Sequence, residues 1–209
     1  MPSATFTNLP EDKKRRVLDA ATLEFGARGL AEARLSEIVQ SARIARGSIY
    51  QYFPSKEDLY IHLFETLRDE RARFVEPAFE LYCKSPFLDF FEVFYLRDSE
   101  YLLTHPSHLE LGKHLYTSND PTSRALIQQY RQKYHDSFLI GIEFDKRLGL
   151  VRGDVDSAAL TDLCVHFVTD IFIFQALHEQ LSIRNIGEHW RKTRTILTYG
   201  ITQPCCNIA

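Results

Sequence analysis

Residues 35–53 read LSEIVQSARIARGSIYQYF, and their apolar positions fall into two short groups. Leu35, Ile38 and Val39 lie on one side of a helix that ends near Ala42. Three residues later, Ile49 and Phe53 mark the inner side of a second short helix, about Arg46 to Tyr52. Two helices of this length, joined so tightly, hide little surface by themselves and must lean on a third. The preceding segment supplies it. A helix is predicted from about Pro10 to Arg28, with Asn8 able to cap it and Glu11 and Asp12 suited to its positive end. Its inner stripe is Val17, Leu18, Ala21 and Phe25, with Leu23 at the edge, and Gly29 ends it. The result is a three-helix module whose second short helix turns Arg46, Gly47, Ser48, Tyr50, Gln51 and Tyr52 outward. Small residues at its start allow close approach, hydrogen-bonding groups fill the rest, and a major groove about 12 Å wide accepts such a helix. A helical hairpin with a polar solvent face fits the same periodicity.

Outward from this module the pattern stays helical. Ser55, followed three residues on by Asp58, opens a long helix toward Cys83, which Pro77 should kink or end early. Further helices are expected over 86–104, 107–116 and 121–148. Gly149 and Gly153 mark a loop around VRGDVD. Asp156 caps a very apolar helix to about Leu181, and a last helix runs over 186–199 before a loose tail. The expected class is all-α: an N-terminal three-helix DNA-binding module with a helix-turn-helix, then a helical body.

The chain has 209 residues, 44% hydrophobic and 25% charged, a globular composition with room for one large or two small domains. Nine Gly and eight Pro are too few for a loop-rich all-β chain. The net charge of -3 argues against nucleic-acid binding by bulk basicity, but it is unevenly spread. Residues 1–56 hold 9 Lys+Arg against 6 Asp+Glu, and the remainder 16 against 22. A basic head on an acidic body points to two units, a helix-turn-helix DNA-binding domain over 1–56 and an effector-binding and dimerisation domain over 57–209. Cys83, Cys164, Cys205 and Cys206 match neither a metal-ligand spacing nor a disulfide framework, so reduced thiols are expected. The tail pair is expected to be exposed. With no apolar leader and no run of 18 apolar residues, the expected location is the cytoplasm, with no membrane span.

The stretch RRVLDAATLEFGARGLAEARLSEIVQSARIARGSIYQYFPSKEDLY (15–60) resembles the N-terminal region of the TetR family of bacterial transcriptional regulators. The matching pieces are Val17-Leu18, Ala20-Ala21, Phe25, Gly29, Glu37-Ile38, Gly47-Ser48-Ile49-Tyr50, Tyr52-Phe53, Ser55-Lys56-Glu57 and Leu59. The resemblance implies that Tyr50 and Tyr52 contact the DNA backbone, Tyr50 alternatively a thymine methyl, and that Lys56 contacts phosphate. Ser48 and Gln51 face base edges, and Gln can pair bidentately with adenine. Arg46 reads guanine or holds phosphate, Arg34 and Ser36 approach the backbone, and Gly47 permits close approach. Three positions depart from the family pattern: Ala33 replaces Thr, Arg43 a turn Gly, and Ala45 a Ser cap. A lost cap and a left-handed non-Gly residue each cost about 1 kcal/mol. The resemblance also implies a two-fold dimer through the last two helices and a ligand pocket in the body.

Within the body, the helix over 86–104 places Phe87, Leu88, Phe90, Phe91, Phe94, Tyr95, Tyr101 and Leu102 on one face, with Asp98 at its middle. A carboxylate there is costly without a partner. It is either a core ion pair or the polar anchor of a cavity. In the second case Phe91, Phe94, Tyr95 and Asp98 line it together with Tyr116, Tyr130, Tyr134, Phe138 and Phe167. Each of these aromatics also fits an ordinary core position, and Asp98 favours a cationic effector. Asp162, His166 and Asp170 form a polar stripe, read as solvated or at a dimer rim in preference to a pocket wall. No metal or cofactor is expected. The expected function is a ligand-responsive regulator, a repressor that binds a palindromic operator as a homodimer and is released by a small apolar or aromatic effector. The alternatives are a DNA-binding regulator without an effector, a helical-bundle enzyme and a helical adaptor. No nucleophile elbow, phosphate loop, metal motif or paired acids support an enzyme.

Overall fold

The computed structural model describes residues 2–178 and 181–200, and its regular elements are all helical. In order they are α1 (Ala4–Thr7), α2 (Glu11–Glu32), α3 (Leu35–Ser41), α4 (Ser48–Tyr52), α5 (Lys56–Val75), a 3-10 turn (Glu76–Leu81), α6 (Phe87–Thr104), α7 (Pro106–Thr117), α8 (Pro121–Arg147), α9 (Ser157–His166), a π turn (Phe167–Ile171), α10 (Phe172–His178) and α11 (Ile183–Tyr199). Cys205, Cys206 and the tail lie outside the described residues, as do residues 179–180 of the expected helix to Leu181.

Local chemistry explains most boundaries. Ser55 accepts the Asp58 N–H and opens α5, and Asp120 and Asp156 do the same for α8 and α9 through Ser123 and Ala159. Pro77 falls just after α5, where the backbone tightens into the 3-10 turn. Asn8 does not cap α2; Pro10 precedes it without a side-chain cap. Gly29 interrupts α2 with φ 69° and ψ 176°, and a Cβ there would meet His114 Nδ1 at 3.2 Å. Leu23, placed at the edge of the inner stripe, is 63% exposed. Cys83 lies in the turn after the 3-10 segment, outside the helical pattern expected of it.

Two apolar cores result. The first joins Val17, Ala21, Phe25, Ile38, Ile49, Phe53, Leu59 and Leu63 of α2–α5, and it includes Phe6 of α1 and Leu111 and Leu115 of α7. The second gathers the aromatic face of α6 with Phe138 and Ile142 of α8, Phe167 and Phe172, and Trp190 of α11. The run Ser157–His178 is long and apolar enough to cross a membrane by length and composition, against the expectation that none would be. Half of its most apolar window is buried inside the fold, as in a core helix.

The helix-turn-helix turn carries the cost anticipated for Arg43. Its φ is 54°, in the left-handed region. It donates its N–H to the Gln40 carbonyl at 3.1 Å, while Ile44 N–H reaches the Val39 carbonyl at 3.2 Å, the Schellman closure of α3. Arg43→Gly should therefore stabilise the chain by about 0.5–1 kcal/mol. A thermal midpoint at or below that of the parent would contradict this account.

Candidate functional site

On the first core, α3, the turn and α4 present one exposed polar face. Arg34, Ser36, Arg46, Gly47, Tyr50 and Gln51 are exposed, and Ser48 is half-buried. Ser36, Arg46, Tyr50 and Lys56 meet around one shallow concavity floored by Ala33, Leu35, Val39 and Ile49. Lys56 Nζ donates to the carbonyls of Ala31 and Ala33 at 3.0 and 3.1 Å, closing the end of α2. An ammonium has three donors, so one remains for a phosphate.

Tyr52 corrects the sequence reading. It is 3% exposed, not outward-facing. Its ring packs 5.8 Å from that of Phe6, and Lys13 covers it at 5.8 Å. The cause is α1, a four-residue helix too short to show periodicity, which fills the space that Tyr52 was expected to face across.

In the body, Asp98 is 2% exposed and sits in a bidentate ion pair with Arg71 of α5. Burial opposes the charge on Arg71, yet the facing Asp98 carboxylate, with Tyr130 and Tyr134 nearby, holds the guanidinium well above its usual range. The Asp98 charge is thus already matched, and the expectation of a cationic effector falls. Arg71 was legible in principle: Phe64, Leu67, Arg71 and Phe74 recur at helical spacing, so α5 carries a half-buried cation opposite the buried anion of α6.

Beside the pair lies a cleft of about 610 Å³, counting its open mouth, walled by α5, α6, α7 and α10. Tyr116 and Tyr130 line it, with Arg68, Arg71, Tyr101 and His108, none of which the sequence reading assigned. A second cleft, of about 100 Å³, is lined by Phe94, Tyr130 and Tyr134, and shares Tyr130 and Arg68 with the first. Phe91, Tyr95, Asp98, Phe138 and Phe167 line neither; they are core. Phe91 contacts Trp190 at 4.8 Å and Phe138 at 5.3 Å, and Tyr95 stacks on Phe91, so these rings fill their own space. Burial raises the Tyr101 hydroxyl to about 12 and pushes the His108 imidazole down. Tyr101 Oη lies 3.0 Å from His108 Nδ1.

The polar stripe of the apolar helix meets α8. Asp170 pairs with Arg131 and lies 3.6 Å from His166, while Asp162 lies 3.6 Å from His135. No cluster among the described residues has the makings of a metal site.

A polar helix standing outward from a tight helix-turn-helix, on a helical body with an apolar cleft, defines a DNA-binding regulator. Residues 17–63 match the family model for bacterial regulatory proteins of the tetR family. A Bacillus subtilis HTH-type transcriptional regulator, YhgD, is 26% identical over 69% of this chain and 72% of its own length. The fatty acid metabolism regulator protein of the same organism is 34% identical over 31% of each chain. The crystal structure of FadR from B. subtilis in complex with stearoyl-CoA superposes with a TM-score of 0.73 at 18% identity, over 90% of this chain and 99% of that one. A transcriptional regulator from Pseudomonas aeruginosa PAO1 gives a TM-score of 0.76 at 12% identity, over 94% and 96%. Residues 17–63 thus carry the DNA-binding region of the TetR family, and the relatives and structures that the chain resembles are transcriptional regulators.

Removing one partner of a buried ion pair leaves the other uncompensated. Asp98→Ala should lower stability by about 3 kcal/mol, while the double replacement Arg71→Met with Asp98→Leu recovers most of the loss. Denaturant midpoints of the three chains check this, and an Asp98→Ala chain as stable as the parent would contradict it.

Proposed function

We propose that the chain is a homodimeric repressor that binds a palindromic operator and is released by a small apolar effector. The observation that carries this reading is α7, whose Leu111 and Leu115 belong to the core under α4 while its Leu109, Gly112 and Tyr116 line the body cleft. A ligand that remodels the cleft therefore acts on the unit that carries the DNA-facing surface. The two-unit division, 1–56 for DNA and 57–209 for effector and dimer, belongs to the same reading, with α5 shared between them. The cytoplasm, where operator DNA lies, is the compartment it requires.

The cleft walls favour an elongated apolar ligand. Phe64, Leu67, Leu102, Val168, Phe172 and Ile173 supply them. The charged groups at the cleft are cationic: Arg71, already matched by Asp98, and Arg68, whose carboxylate partner is its sequence neighbour Asp69 at 3.1 Å. An acyl chain with an anionic head suits that lining, and the FadR structure with stearoyl-CoA supports the same class. DNA supplies the test of the whole reading. Full-length protein selects a duplex from a randomised pool, and palmitoyl-CoA is then added. Binding should weaken with palmitoyl-CoA and not with coenzyme A alone. Gln51→Ala should relax preference at one base position per half-site by about 1–3 kcal/mol, and Tyr50→Ala should weaken binding to all sequences. Selection of no duplex, or Gln51→Ala and Tyr50→Ala chains that bind as the parent does, would sink the DNA-reading assignment; an indifferent response to acyl-CoA would sink only the effector class.

Dimerisation is proposed through the run 157–178 and α11. On the first, Leu163, Phe174 and Leu177 are exposed, Phe174 to 62%; on the second, Ile196 and Tyr199 are exposed, Tyr199 to 81%. Large apolar side chains exposed together on adjacent helices call for cover. Light scattering at micromolar concentration should give a dimer, and Phe174→Glu with Ile196→Glu should give a monomer that no longer holds the selected duplex. A monomeric parent would refute the interface.

A further inference from the structure

The segment Pro2–Thr7 lies outside the three-helix module, yet it anchors the end of α4. The last carbonyls of a helix have no partner within it. Here Ser3 meets two of them: its Oγ donates to the Gln51 carbonyl at 2.6 Å, and its N–H donates to the Tyr52 carbonyl at 2.9 Å. Ser3 Oγ also accepts the Phe6 N–H at 3.3 Å, which starts α1. That helix delivers Phe6, 2% exposed, onto Phe53 at 4.7 Å and edge-on to His62 of α5 at 5.5 Å. At its other end α4 has no side-chain cap, and five residues cannot hold a helix by themselves.

We propose that Ser3 and Phe6 are positioning residues for DNA reading. They fix the angle and depth at which α4 presents Tyr50 and Gln51, and so set how sharply the protein discriminates among DNA sequences. This rests on the reading of α4 as the helix that faces the bases. Base readout depends on placement to within about half an ångström. Phosphate contacts carry no sequence information, and of those expected, Lys56 and Arg46 lie on α5 and the turn, which Ser3 does not touch, while Tyr50 alone rides on α4. Loosening the end of α4 should therefore degrade discrimination more than it degrades non-specific binding. The burial of Tyr52 belongs to the same device: its ring is part of the clamp rather than of the DNA surface.

The test uses the full-length chain and the duplex it enriches from a randomised pool. The quantity measured is the ratio of Kd values between that duplex and one altered at the base to which Gln51→Ala responds. Ser3→Pro removes both donors, and the Ser3 φ of -74° suits proline. It should lower the ratio about tenfold, with affinity for a random-sequence duplex falling by a much smaller factor, that of the Tyr50 contact. Ser3→Ala, which keeps the N–H, should give a smaller loss in the same direction, and Phe6→Ala, which takes the ring away from Phe53, should also lower the ratio. Hydrogen exchange over residues 48–52 should quicken in both Ser3→Pro and Phe6→Ala. An unchanged ratio in Ser3→Pro and Ser3→Ala, with Gln51→Ala still altering preference, overturns the clamp alone. Equal losses on selected and random duplexes also overturn it, because α1 would then act only on stability. If Gln51→Ala alters preference nowhere, the assignment of α4 fails first and the clamp falls with it.

Discussion

A carboxylate in the middle of an aromatic helix face must be neutralised or matched, because transfer of an unpaired charge out of water costs several kcal/mol even after relaxation. Asp98 meets this constraint through Arg71, 27 residues earlier. The pair fastens α5 to α6 at a fixed height, and the architecture of the body follows from that fastening. With Arg71 drawn toward α6, Tyr130 of α8 lies against the guanidinium at 5.9 Å, and the cleft opens on the α7 side of the pair. Replacement of such a pair by apolar residues is often neutral for stability, so its worth to this fold lies in register: it specifies where α5 sits. As α5 also carries Leu59, Tyr60 and Leu63 into the first core, a register fixed in the body is felt in the head.

The head is governed by a different constraint, the shortness of α4. Helix nucleation is unfavourable, and five residues gain little from their own hydrogen bonds. Every hold on α4 is therefore external: Ile49 and Phe53 into the core, the turn closed by Arg43, and the Gln51 and Tyr52 carbonyls tied to Ser3. A small element held at several points is well suited to read base edges, since its own flexibility does not enter. It is also sensitive to any loosening of those points.

The helices and most of their ends were legible because proline, serine and aspartate act within three or four residues, as Ser55, Pro77, Asp120 and Asp156 show. The face formed by Arg46, Gly47, Tyr50 and Gln51 was legible for the same reason, since helical spacing alone orients it. What escaped is non-local or too short to repeat. Four residues of α1 show no period, so the burial of Tyr52 was invisible. Residues 167–171 read as continuous helix, yet they widen into a π turn where Val168 faces the cleft and Asp170 turns to Arg131. The aromatic positions of α6 were correctly read as inward, but periodicity does not separate a ring that fills the core from one that borders empty space. Phe91 and Phe138 do the former and Tyr130 the latter, and only the packing of α5, α7 and α8 around them decides it.

The arrangement of α7 limits how a signal can pass through the molecule. Its Leu111 and Leu115 are fully or almost fully buried in the first core, and Gly26 of α2 lets its backbone approach so closely that a Cβ would lie 3.3 Å from the Ser107 carbonyl. Close-packed contacts of this kind transmit displacement because they have no slack to absorb it. On its other side α7 meets the cleft through Gly112, where an added Cβ would lie 3.7 Å from Ile173 Cδ1, and through Tyr116. An effector of the proposed kind, seated against Ile173, therefore cannot move α7 without moving α2, and α2 is the floor on which α3 and α4 stand. The energetic requirement is separate from this geometry: the effector must bind one arrangement of α7 better than the other, because equal affinity shifts nothing. The apolar walls of the cleft meet that requirement when an apolar ligand fits the widened arrangement and is crowded out of the closed one.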